Sequence, residues 1–218
     1  ILKDYLNPKL EKIWGNYYQN NSSVAPIFPE LVFKNQILFL SLNPSLPPYT
    51  KDIEYGNTQS KPWRFLDSSI SYEENKSVPH FKKFFEIQKE INQSWTFLDL
   101  LYIRKSKQKE IEALYETELG KNFILEQANL TLEIIKEIKP KLVIVSNKFV
   151  ETILHDSNQE IIKFNAKLDE NYIYRYQGIP FIIKESKFLG SIRHWNNNES
   201  LRQRMYQEIN RVLKLIEE

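Results

Sequence analysis

Apolar positions along the chain follow two alternating rhythms. Leu2, Leu6 and Leu10, joined by Ile13, Trp14 and Tyr17, recur at helical spacing and predict an amphipathic first helix. Ile37 to Leu42 then form an apolar run suited to a buried strand, which ends abruptly in Asn43-Pro44-Ser45. Residues 46 to 76 read as a long loop carrying Tyr49, Tyr55, Trp63 and Phe65; loops of that length inside a compact domain are commonly functional or disordered. Ser77 to Asn92 returns to the helical period through Phe81, Phe84, Phe85, Gln88 and Ile91, with Pro79 in the first turn, where proline is tolerated. Trp95 to Leu98 is a second strand, running into Asp99. A helix is predicted near 110 to 119, closed by Gly120. The next carries Phe123, Gln127, Thr131, Ile134 and Ile138 and stops before Pro140.

Leu142 to Val145 is a third strand ending in Ser146-Asn147, followed by a short helix to His155. Tyr172–Tyr176 and Ile179–Ile183 predict a hairpin about Gln177-Gly178, the latter run being the fourth buried strand. A closing helix begins in Asn196-Asn197-Asn198-Glu199, a capping-box arrangement, and carries Leu201, Met205, Ile209, Val212 and Ile216. Strands separated by helices imply crossover connections, so the predicted fold is α/β: three layers, α/β/α, around a central four-stranded, mostly parallel sheet. The strand tips then gather at one edge: Asn43 and Ser45, Asp99, Ser146 and Asn147, and Lys184 to Ser186. In open α/β sheets ligands bind at that edge.

Composition narrows this picture only slightly. A chain of 218 residues with 41% hydrophobic and 27% charged residues is expected to form one domain, residues 1–218. The strand runs are too short to cross a membrane and no targeting pattern is visible, so a cytoplasmic monomer is expected. The absence of cysteine excludes a disulfide framework, a thiolate nucleophile and a zinc–thiolate site. Three scattered histidines at no ligand spacing predict no metal, and none of the five glycines lies beside Asn43, so no cofactor is expected. The net charge of +2 hides local clusters. Arg104, Lys105, Lys107 and Lys109 crowd one stretch, and residues 184 to 214 hold seven Lys/Arg against three Glu. Such clusters can neutralise phosphates, although a solvated face is the simpler reading of them.

Taken in order, these blocks resemble the uracil-DNA glycosylase superfamily. "SLNPS", Ser41 to Ser45, is similar to the Gly-x-Asn-Pro first motif of its mismatch-specific uracil glycosylase branch. "PHFKKFFEIQKEI", "SWTFLDLLYIRKSKQK" and "KPKLVIVSN" look like an uncharacterised glycosylase-like subgroup of it, and the likeness runs from about residue 36 to 215. The resemblance implies a four-stranded parallel sheet, a DNA partner, single- or double-stranded, and excision of a uracil-like or otherwise modified base. It implies that Asn43 positions the attacking water, and that Ser41, Pro44 and Ser45 belong to the same motif. Two features depart from the pattern. Ser41 replaces the family's glycine, and the last motif, His-Pro-Ser or Asn-Pro-Ser, is replaced by "KESKFLGSIRHWNNN". Ser186, Lys187 or His194 could stand in for the missing histidine. Asp99 falls where the uracil branch has a base-reading asparagine; an ionised aspartate only accepts hydrogen bonds, whereas an amide also donates.

N-glycosidic cleavage needs a held water, a donor toward the departing base and a grip on that base. Asn43 can orient water but is a poor proton acceptor. Asp99 is base reader or water activator, or else a helix cap or a partner for Arg104. His194 is a candidate acid or phosphate contact. Tyr49, Trp63 and Phe65 are candidate stacking platforms, Asn147 lines the strand edge, and Phe188-Leu189, flanked by Lys187 and Arg193, is a candidate wedge. Two other readings stand beside excision: a non-catalytic nucleic-acid or nucleotide-binding module, and an unrelated α/β enzyme holding a phosphate.

Overall fold

The computed structural model describes residues 2–17, 26, 28–29, 32–44, 69–70, 79–105, 107–158, 160–183 and 195–217. Its strands are β1 (Phe28–Pro29), β2 (Ile37–Ser41), β3 (Ser69–Ile70), β4 (Trp95–Asp99), β5 (Leu142–Val145), β6 (Lys167–Leu168), β7 (Tyr174–Tyr176) and β8 (Ile179–Ile182). Among the described residues the helices are α1 (Leu2–Tyr17), α2 (Pro79–Ile91), α3 (Gln108–Tyr115), α4 (Glu118–Ile138), α5 (Lys148–Leu154) and α6 (Glu199–Glu217).

The central sheet has the order β4-β2-β5-β8-β7-β6. Its first four strands are mutually parallel, and β7 and β6 extend it antiparallel. Six strands therefore replace the four expected, because the first arm of the hairpin joins the same sheet and brings a two-residue strand with it. The hairpin turns on Gln177 at φ 51° and Gly178 at φ 81°, two consecutive left-handed residues that match the strand twist. A separate parallel ladder, β1 with β3, lies partly inside the segment predicted as loop. At two residues per strand it leaves no periodic trace in the sequence.

Alternation along the strands divides the interior in two. Leu38, Leu40, Leu98, Val143, Val145 and Phe181 pack with α1, α3, α4 and α5. Ile37, Phe39, Trp95, Phe97, Leu142, Ile144 and Ile182 pack with α2 and α6. Helices thus cover both faces of a mostly parallel sheet, the α/β arrangement that the hydrophobic rhythm predicts.

Two helix boundaries differ from expectation. Gly120 does not close a helix; α3 ends at Tyr115, and Gly120 lies in the first turn of α4, where the Thr117 side chain accepts a hydrogen bond from its N–H at 3.1 Å. A Cβ at position 120 would collide with the backbone oxygen of Leu114, so glycine is required by the tightness of the α3–α4 turn. The cap of α6 is Asn198 rather than Asn196: its Oδ1 accepts from Leu201 N at 3.0 Å.

Candidate functional site

The connection after β2 leads to β4 on one side of it, whereas the connections after β4 and β5 lead to the other side. The carboxyl ends of β2 and β5 therefore flank the switch point of the sheet, where crossovers diverge and leave a crevice. Ser41 and Asp99 are ladder partners, and Leu40 pairs with Val145, which sets Ser146 beside Ser41. By alternation all three side chains lie on the α2/α6 face. Asp99, Ser41 and Ser146 form a polar row across three adjacent strands, capping a face that is apolar below it.

The serine pair is tightly bonded. Ser146 Oγ donates to the Leu40 carbonyl at 3.0 Å, and Ser41 Oγ lies 2.7 Å from Ser146 Oγ. Ser146 N also donates to the Leu40 carbonyl at 2.8 Å.

Asn43, one turn of chain beyond β2, faces the carbonyls of Pro44, Ile103 and Lys105 through Nδ2 at 2.9, 3.3 and 3.0 Å. Three acceptors around one NH₂ fix the orientation of the amide, because the alternative would set an oxygen against oxygens. Oδ1 makes no hydrogen bond among the described residues, and Asn43 is only half-buried. Asn43 therefore ties the loop after β2 to the segment after β4 and leaves its acceptor outward. Pro44 is buried beside it, and its carbonyl also accepts from Lys105 N at 3.3 Å.

The segment after β4 is held from the opposite face. Gln127 of α4, fully buried, accepts from Tyr102 N and Ile103 N through Oε1 at 2.9 and 3.0 Å and donates to the Phe123 carbonyl at 3.1 Å. Thr131, one turn on, lies 2.9 Å from both the Leu100 carbonyl and the Tyr102 hydroxyl. Every residue from Leu100 to Ile103 is thus fixed by its main chain or packing, and the backbone of Asp99 is fixed with them.

The Asp99 carboxyl is treated differently. Asp99 is 9% exposed, and its carboxyl makes no hydrogen bond or ion pair among the described residues. It neither caps a helix nor pairs with Arg104, the two structural roles weighed from the sequence. Burial without a cation pushes its pKa up to about 8, which favours the protonated form. Tyr102 nearby is also pushed up, mainly by burial and additionally by the charge of Asp99.

Lys83 was not singled out by the sequence. It sits on α2, 6% exposed, with Nζ 5.4 Å from the centre of the Phe84 ring. Phe84 stacks on Phe39 at 4.1 Å, and Phe81 meets Phe97 edge-on at 5.1 Å. Phe85 and Gln88, further along, reach Trp95. α2 therefore runs antiparallel to β4 with its amino end toward Asp99. Helical side chains lean toward the amino end, which carries the Lys83 stem toward the strand tips. Burial lowers its pKa to about 8. The signal was available: Lys83 lies one turn before Ile87 on the buried arc, whereas adjacent Lys82 is exposed.

The other sequence candidates separate. Asn147 is the N-cap of α5: its Oδ1 accepts from Phe149 N at 2.7 Å and its Nδ2 donates to Gln108 at 3.0 Å. Arg104, one member of the basic cluster, is buried at 5% exposure, so that cluster is not a continuous charged surface. Ser45, Tyr49, Trp63, Phe65, Ser186, Lys187, Phe188, Leu189, Arg193 and His194 lie outside the described residues.

Two cavities between described residues lie elsewhere. One of about 210 Å³ is bordered by Tyr172, Ile173 and Arg211, and one of about 480 Å³ by Asn129, Lys136, Lys163 and Gln177. No group of three His, Asp or Glu side chains suited to a metal ion occurs among the described residues. Among the same residues no helix is long and apolar enough to cross a membrane. Neither a protein-family model nor a curated protein matches the chain.

Proposed function

We propose that this chain is a uracil-DNA glycosylase-like enzyme that hydrolyses the N-glycosidic bond of a uracil-like or otherwise modified base in DNA. The observation that supports the reading is that Asn43, its amide nitrogen turned to main-chain carbonyls, and the largely buried Asp99 both stand at the carboxyl ends of the adjacent parallel strands β2 and β4. The parallel core β4-β2-β5-β8 supports the same architecture, with the antiparallel hairpin as an addition at its edge.

Each group has a role the chemistry requires. As the glycosidic bond breaks, its electron pair leaves with the base, and the sugar becomes oxocarbenium-like. Asn43 Oδ1 accepts a hydrogen bond from a water and orients it for attack on the anomeric carbon, and as the C–O bond forms the water's proton passes to solvent. Asp99, whose protonated form burial favours, donates toward the departing base.

The test is alkaline strand scission of labelled single- and double-stranded oligonucleotides carrying uracil, hypoxanthine, xanthine or a mismatch. Cleavage by the native chain that falls at least a hundredfold in Asn43→Ala is the expected result. Salt-sensitive binding with no abasic product from any substrate would replace excision by a non-catalytic binding module.

A further inference from the structure

We propose that the cavity of about 480 Å³ at the amino end of the sheet binds the phosphate of a small phosphomonoester. The inference goes beyond the excision reading: it concerns the opposite end of the molecule, and neither depends on the other.

The place follows from the topology. β7 and β8 are joined by the turn at Gln177-Gly178, which precedes the first residue of β8 and so stands at the amino ends of the parallel strands. α4 reaches the same end, because its last residue, Ile138, leads into β5. Asn129, Glu133 and Lys136 recur on α4 at helical spacing, which puts them on one stripe. That stripe, the hairpin turn and the segment carrying Lys163 and Asn165 border the cavity. Its volume lies within the roughly 300–1,000 Å³ usual for small-molecule sites.

The wall has more positive charge than it neutralises. Its carboxylate, Glu133, is already held by Lys9 Nζ at 2.6 Å and by the Tyr5 hydroxyl at 2.9 Å. Lys163 acts on Glu133 through its charge but makes no ion pair with it. Lys136 also makes none among the described residues. Two ammonium groups therefore face the cavity unmatched.

The neutral groups beside them are donors as well. Asn129 Oδ1 accepts from Lys163 N at 3.3 Å, which orients the amide and leaves Nδ2 without a partner among the described residues. Tyr176, 6% exposed, is fixed by Phe164 at 5.2 Å and edge-on by Phe181 at 6.3 Å between ring centres. Tyrosine hydroxyls usually find a partner when the ring is buried. This one makes no hydrogen bond among the described residues, yet it is not sealed in the interior. It opens to the cavity that the residue borders, and the field of Glu133 on the wall reaches it.

A phosphomonoester supplies what these groups lack, with about two negative charges at neutral pH and several acceptor oxygens. A carboxylate or a phosphodiester carries one charge and leaves a lysine unmatched. The exposed amides of Asn165 and Gln177 offer both donors and acceptors to the remainder of the ester.

The intact chain is titrated at about pH 7.5 and constant salt with glycerol 3-phosphate, inorganic phosphate, dimethyl phosphate and glycerol, and its backbone amides are followed by NMR. Saturable shifts at Lys163, Asn165, Tyr176 and Gln177 are expected from the first two. Dimethyl phosphate, with the same tetrahedral outline and a single charge, is expected to bind about tenfold more weakly, and glycerol not at all. Lys136→Met and Lys163→Met should each weaken glycerol 3-phosphate about tenfold, whereas Lys82→Met, exposed on α2, should not. Tyr176→Phe keeps the ring and removes the donor, for a loss of about fivefold. The same spectra report whether each variant is folded, and the two exposed lysines decide the matter even if Tyr176→Phe does not fold. Shifts spread over lysines elsewhere, equal binding of dimethyl phosphate, or affinity indifferent to Lys136 and Lys163 would each overturn the proposal. Strand scission is read separately and bears on neither result.

Discussion

The two faces of the sheet handle buried polarity in opposite ways. On the α4 face, Gln127 and Thr131 are uncharged, fully buried and bonded to the main chain they support. On the α2/α6 face, the buried polar residues at the same end of the sheet include Lys83 and Asp99, both ionisable and both driven by desolvation toward their neutral forms. The first pattern holds a loop in place. The second leaves ionisable groups at the carboxyl edge of the sheet. The contrast separates scaffold from site without reference to any relative.

The contrast should be visible in stability against pH. Between pH 4 and pH 8 the native chain keeps the Asp99 proton that the unfolded chain has released, so this group makes the fold less stable as pH rises. The largest expected effect is in Asp99→Asn. Its stability relative to the native chain should grow by roughly 5 kcal/mol between acid and about pH 9, read from denaturant unfolding at each pH. A constant difference across that range would remove Asp99 from the comparison.

Gln127→Leu attacks the other face. It strands the N–H groups of Tyr102 and Ile103 in the interior and should destabilise by about 3 kcal/mol with no pH dependence between acid and alkali. A loss that varied with pH would show that the faces are not independent. Lys83 acts in a second window: between its lowered pKa of about 8 and the ordinary 10.5, the unfolded chain holds the proton and the native chain does not, so stability rises with pH. Lys83→Met should accordingly be more stable than the native chain at neutral pH by up to about 3 kcal/mol, and the advantage should fade as pH climbs through that window. The smallest effect belongs to Ser146→Ala, which removes a donor to the Leu40 carbonyl and should lower stability by about 1 kcal/mol.

Much of the scaffold was legible because its elements follow strict periods. β2, β4 and β5 match their apolar runs to within a residue, and the Gln127–Thr131 spacing already placed both residues on the buried stripe of α4. The misplacement of Gly120 arose because a glycine after a helix and a glycine before one look alike in sequence; only the approach of Leu114 distinguishes them. The sixfold sheet was missed because the outer strands are two and three residues long, too short to show alternation. Within the site, Asn43 and Asp99 were legible as strand tips. Lys83 was overlooked, although its place one turn before Ile87 on the buried arc of α2 set it apart from Lys82. The bonding of the Asn43 amide depends on residues about 60 positions away, and no local pattern encodes it.

The hairpin at the edge of the sheet has a consequence for how copies of this chain behave toward one another. Without β7, the open side of β8 would present a row of backbone groups able to recruit a strand from another molecule. With it, that border of the sheet is the two-residue β6, whose Lys167 and Leu168 are exposed. So short a strand, bearing a lysine, offers almost no template for intermolecular pairing.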